Sequence, residues 1–269
     1  MTIRLANWIR ISPLVAYFLL VFGIEWLLVL ILRPFVPAMI ALLIGSWLPN
    51  AIGLLVTSVA GGRAGLRELL GKMILWRVGL RWFAIALLLP VAFTFLAIGL
   101  YTQLGNASPA FAPPSQLLSI VLITVITGAL GEELGWRGTA LPRLQSRSTP
   151  LISSLILGLL WGLYHLPALL LSGFPQQELQ LFPYIVASLA LTVLVTWTFN
   201  HTYGSLIPVF LYHFSFNFML NVTGIIGVPA LFSLLAGITS VAAIAVIALD
   251  WRRFTTLASG STEGVWTVK

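Results

Sequence analysis

The sequence contains no cysteine. Disulfides, thiolate metal sites and cysteine nucleophiles are thereby excluded. Charge is nearly as scarce. Only 8% of the 269 residues are Asp, Glu, Lys or Arg, while 59% are hydrophobic. A soluble domain carries about 25% charged residues, so no water-exposed surface can be built from this composition. No stretch outside the apolar runs is long enough to bury a core, so residues 1–269 read as a single integral membrane domain. Strand-type alternation is absent and the apolar runs are continuous. The expected fold is therefore an all-α polytopic membrane protein, not a barrel.

A span needs about 20 apolar residues, and about eight such runs are present. They are Leu14 to Leu32, Ala38 to Ala60 (interrupted by Pro49), Trp82 to Tyr101, Gln116 into Glu132-Glu133, Leu151 to Leu171, Leu181 to Phe199, Leu206 to about Leu220, and Ile225 to Leu249. The first is too long for a signal peptide and lacks a small-residue cleavage site, so it reads as a retained span. Between the second and third lies a basic segment with Arg63, Arg67, Lys72, Arg77 and Arg81. Its apolar residues recur at helical spacing, which places it on the membrane surface. The net charge of +7 is not a nucleic-acid signature, because arginines of membrane proteins collect on cytoplasmic loops. With both termini inside, Arg33 is the one basic residue of fourteen that falls outside. The rest, from Arg4 to Lys269, lie inside. No convincing internal repeat is visible.

Seven acidic residues make up the whole acidic inventory, and two of them, Glu132 and Glu133, stand side by side at the end of a span. A charge inside a bilayer helix costs about 2.5–3.5 kcal/mol on insertion scales, which marks it as functional by default. Successive residues point about 100° apart on a helix, so the two cannot serve one spot equally. Glu133 and Arg137 have the i, i+4 spacing of a structural ion pair. That leaves Glu132 directed toward another neighbour. Gly131 and Gly135 form a G-x-x-x-G that lets another helix approach closely.

Two of the three histidines also fall within spans. His165 lies one turn after Trp161, and His213 one turn before Asn217, so each pair shares a helix face. Each has a bland alternative: a packing histidine bonded to a backbone carbonyl, or an asparagine acting as interhelical glue. His201 falls in a turn and is expected to be solvated. Glu25, alone on the first span, reads as structural or as a buried protonated acid, with a place in a cavity wall as the alternative. The depths of Glu132 and His165 agree only if span four tilts, or if the helix after Pro150 starts outside the membrane.

Glu132-Glu133-x-x-x-Arg137, Trp161-x-x-x-His165 and His213-x-x-x-Asn217 together resemble the three motifs of the CPBP family, the CAAX prenyl endopeptidase and bacteriocin-processing (Abi) intramembrane proteases. The resemblance covers Glu132 to Asn217 and puts the catalytic core at about 116–222. The family pattern usually has phenylalanine where this chain has Trp161. The resemblance implies peptide-bond hydrolysis inside the membrane, and the depth of His213, about two turns into its span from inside, puts the site near the cytoplasmic half. Glu132 and His165 would hold and deprotonate the attacking water. His213 and Asn217 would stabilise the oxyanion, and Glu133 and Arg137 would orient these groups. It also implies no metal cofactor.

The residue inventory itself leaves zinc open, since Glu132, His165 and His213 form a ligand set with room for water, although H-E-x-x-H is absent. A transporter with a Glu/His/Arg path and a silent immunity scaffold are the non-enzymatic alternatives. The implied partners are membrane lipid and a membrane-associated peptide or protein, either a prenylated CAAX protein or a leader peptide. The compact chain, its short loops and the lack of an ER-retrieval ending point to a prokaryotic plasma membrane.

Overall fold

The computed structural model describes residues 2–32 and 34–257. Arg33 and Lys269, both used in the charge count, lie outside them. The longer helices in chain order are α1 (Thr2–Ile11), α2 (Pro13–Leu32), α3 (Ala38–Gly71), α4 (Leu80–Gln103) and α5 (Pro114–Gln145), followed by α6 (Pro150–Tyr164), α7 (Leu181–His201), α8 (Leu206–Val222) and α9 (Pro229–Leu249). Six are long and apolar enough to cross a membrane, and α6 and α8 are shorter apolar helices of 15 and 17 residues. The chain is an all-helical polytopic membrane protein. Its outer surface is rich in exposed Leu, Ile, Val and Phe, as a lipid-facing surface requires.

The packing follows the small and polar residues. Helix α7 buries Thr192, Thr196 and Thr198 among Val193, Leu194 and Val195, and it packs against α6 and α9. Helix α3 lies between α2 and α5, and α8 lies between α4 and α5. The predicted G-x-x-x-G is a crossing point. A Cβ at Gly131 would strike the Ser46 carbonyl, and one at Gly135 would strike the Pro49 carbonyl. Only glycine lets α3 come this close to the glutamate-bearing stretch of α5.

Several boundaries differ from the sequence-based expectation. Pro49 does not interrupt the second span; α3 continues through it, and the break comes at Gly62, whose φ is 58°. The first part of the basic segment is thus the last stretch of α3 beyond that kink. Helix α6 ends at Tyr164, because Pro167 has no N–H for another helical turn. His165 occupies the break at φ −83°, ψ 2°. Helix α5 does not stop at the glutamates but runs on to Gln145, about three and a half turns past Glu132. The glutamates are therefore mid-helix, and the mismatch in depth with His165 disappears.

The basic residues gather at one end of the bundle. Arg10 donates to the Val59 carbonyl at 3.3 Å, and Arg143 reaches Thr57 at 3.4 Å. Leu206 N bonds the Lys72 carbonyl at 2.9 Å, and Ser205 donates to the Leu75 carbonyl at 2.6 Å. His201, expected to be solvated, instead pairs with Asp250 at 3.1 Å and packs against Trp82 and Trp197. Arg137 does not belong to this end. It is 1% exposed, inside the bundle.

Candidate active site

Helix α5 changes its winding on both sides of the glutamates. Two π-helical turns, Val125–Ala129 and Trp136–Ala140, flank the short α-helical stretch Leu130–Gly135. Such turns leave backbone groups without their usual partners and are frequent at functional sites. Here side chains make good the deficit. Trp47 donates to the Ile126 carbonyl at 2.9 Å. Asn50 donates to the Leu130 carbonyl at 2.7 Å, and its own oxygen accepts from Gly135 N at 2.9 Å. One amide of α3 thus clamps the backbone two residues before and two residues after the glutamate pair.

Glu132 and Glu133 are each 3% exposed, and they do separate work. Glu132 Oε2 accepts from two indoles, Trp161 at 2.7 Å and Trp136 at 3.1 Å. Its other oxygen, Oε1, stands 3.9 Å from His165 Nε2. His165 Nδ1 lies 2.9 Å from the Trp161 carbonyl. Nδ1 therefore carries the hydrogen and donates it, and Nε2 is the nitrogen turned to Glu132.

Glu133 Oε1 is shared by Arg137 at 2.9 Å and His213 Nδ1 at 2.6 Å. The expected Glu133–Arg137 pair is present, and His213 joins it, which the i, i+4 spacing alone did not reveal. Arg137 is steadied further by Thr192 at 3.3 Å and by the face of Trp161, 4.8 Å from its guanidinium carbon. Opposite charges this close, with additional hydrogen bonds, are the condition for keeping ions in a low-dielectric interior.

His213 Nε2 and Asn217 Nδ2 come together over Gly128. A Cβ built on that glycine would lie 3.1 Å from the asparagine nitrogen and 3.9 Å from the histidine nitrogen. Gly128 sits in the first π turn with φ −134° and ψ −111°, so the distorted backbone leaves open the space that both donors face. Glu132, His165, His213 and Asn217 all line one cavity of about 160 Å³, joined by Glu25 and Tyr184.

Residues 114–219 match the family described as Type II CAAX prenyl endopeptidase Rce1-like. Across this segment the chain is similar to the type II CAAX prenyl endopeptidases. A CAAX prenyl protease 2 of Methanococcus maripaludis is 30% identical over 103 residues, which cover 36% of this chain and 38% of that relative's length.

The Rce1-like segment holds Glu132, Glu133, Arg137, His165, His213 and Asn217, while Asn50, Trp47 and Glu25 come from α2 and α3, outside it. Among the described residues no three His, Asp or Glu side chains are grouped to hold a metal ion. The Glu132–His165 pair faces the cavity, and His213 turns Nδ1 to Glu133. Sequence reasoning missed Trp136 and Asn50. A tryptophan four residues after Glu132 was the one available signal, since i, i+4 neighbours share a helix face.

Proposed function

We propose that this chain is an intramembrane endopeptidase. It hydrolyses peptide bonds of membrane-associated substrates with a glutamate-activated water and without a metal cofactor. One observation carries the reading: Glu132 Oε1 and His165 Nε2 are 3.9 Å apart at the cavity wall. That is too long for a hydrogen bond between them, yet one water can lie within hydrogen-bond reach of both, at roughly 2.8 Å from each. The water loses its proton to this pair as its oxygen attacks the scissile carbonyl. The proton then passes to the leaving amine as the C–N bond breaks.

Negative charge that develops on the carbonyl oxygen needs donors already in place. Asn217 Nδ2 and His213 Nε2 supply them. His213 gives Nδ1–H to Glu133, and when doubly protonated it donates from Nε2 to the oxyanion. Arg137 keeps the Glu133 carboxylate in position.

The matched segment and the relative named a CAAX prenyl protease support a substrate class of prenylated CAAX proteins, with leader peptides as the second class. In this reading the basic end of the bundle faces the cytoplasm, both termini lie there, and the membrane is a prokaryotic plasma membrane. The test is a comparison of peptide termini in cells carrying wild type and Glu132→Ala. Termini that vanish with Glu132 identify substrates, and identical sets contradict the proposal. A zinc-dependent peptidase using Glu132, His165 and His213 is the competing chemistry. Cleavage that survives a strong zinc chelator supports the metal-free reading, and cleavage that is lost and returns with added zinc overturns it.

A further inference from the structure

Glu25 lines the same cavity as the Glu132–His165 pair but comes from α2, outside the Rce1-like segment. It is 8% exposed, and its carboxyl group has a seat prepared for it. A Cβ at Gly45 would lie 2.6 Å from both carboxyl oxygens, so the absence of a side chain there makes the room. The seat is braced. The Gly45 carbonyl lacks its ordinary helical donor because residue 49 is proline, and the Tyr164 hydroxyl donates to it instead at 2.7 Å. Within this seat Glu25 Oε2 has no hydrogen-bond partner among the described residues.

Glu25 and Glu132 are the acidic residues of the cavity wall, which also carries His165 and His213 and no Lys or Arg. Glu132 already has two indole donors on Oε2. Glu25 is the acid with binding capacity to spare. A buried carboxylate oxygen without a partner is costly, and a cation entering the cavity both lowers that cost and forms a charge-assisted hydrogen bond. A neutral side chain gains nothing there, and an acidic one is repelled.

We propose that Glu25 forms a subsite for a positively charged substrate side chain, lysine or arginine, close to the bond that is cut. Glu25 is then a specificity-determining residue outside the Rce1-like segment. The proposal rests on the endopeptidase reading above for its word "substrate", and its test separates the two.

The probes are lipid-anchored fluorogenic peptides in which each position around the cleaved bond is in turn lysine, norleucine or glutamate, assayed with the full chain in lipid nanodiscs. At one position wild type should prefer lysine over norleucine by about tenfold or more in kcat/KM, the range expected of one charged hydrogen bond, and should disfavour glutamate. In Glu25→Gln that ratio should fall to about one. Gly45→Ala, which displaces the carboxyl group, should reduce it as well. A second arm measures binding of the same peptides to Glu132→Gln with and without Glu25→Gln. It expects the same loss of lysine preference in Kd. Cleavage with no Glu25-dependent charge preference at any position overturns the subsite and leaves the peptidase standing. A Glu25-dependent binding preference without cleavage of any peptide by wild type keeps the subsite and overturns the peptidase.

Discussion

Glu133 Oε1 lies 2.6 Å from His213 Nδ1, and the same oxygen holds Arg137 at 2.9 Å. One carboxylate oxygen therefore holds both the Arg137 guanidinium and the His213 ring. Glu133→Gln leaves both without an anion. Breaking a buried pair on one side costs about 3–5 kcal/mol, and loss of a fixed oxyanion donor costs about 10²–10³ in rate. The variant should therefore lose both stability and kcat, with KM little changed. Adding Arg137→Gln should recover part of the stability and none of the activity. Denaturation in detergent micelles and steady-state kinetics check the two halves. Joint recovery would show that Glu133 acts on the fold alone.

The two indoles on Glu132 Oε2 give a graded expectation. Trp161→Phe installs the residue that the resembling family usually has and leaves Trp136 as donor, so the loss in kcat should stay below about tenfold. The double substitution Trp136→Phe with Trp161→Phe strips Oε2 of both indoles and should cost about tenfold to a hundredfold. Equal effects of the single and double variants would mean that the carboxylate is held by something else.

Asn50 gives a prediction about the backbone. Asn50→Ala orphans the Leu130 carbonyl and the Gly135 amide, at about 1–3 kcal/mol per buried group, and frees the stretch that carries both glutamates. Stability and kcat should fall together, and Asn50→Asp, which keeps the acceptor for Gly135 N, should fall less in stability. Gly135→Ala should be worse than Asn50→Ala, because its Cβ meets the Pro49 carbonyl, which is backbone and cannot swing aside. Thermal unfolding of the purified variants ranks them.

The apolar runs were enough to place the helices, since a lipid-facing surface admits little else. The motif spacings put Trp161 with His165 and His213 with Asn217 on shared faces. What lay beyond sequence reading was rotation. Around an almost uniformly apolar helix such as α5, hydrophobicity carries no phase. Two π turns then shift the register by an amount that no periodicity reports. The meeting of Glu133 with His213 and the clamp by Asn50 depend on that shift. The positive-inside count placed Arg137 with the loops, although it lies buried beside Glu133. His201 was misjudged because its partner, Asp250, comes from the far end of the next helix pair. Glu25 carried no motif at all. Its place in the cavity follows from the glycine opposite it on α3.

The most direct test of the central claim is the rate of peptide cleavage by purified Glu132→Gln in lipid nanodiscs, measured beside its unfolding midpoint. Glutamine keeps the shape and the Oε acceptor for the indoles but cannot take a proton from water. The account predicts a fall in kcat of about 10²–10⁴, the usual contribution of a positioned general base, in a protein that remains folded. Cleavage by the folded variant at a rate close to wild type would contradict it.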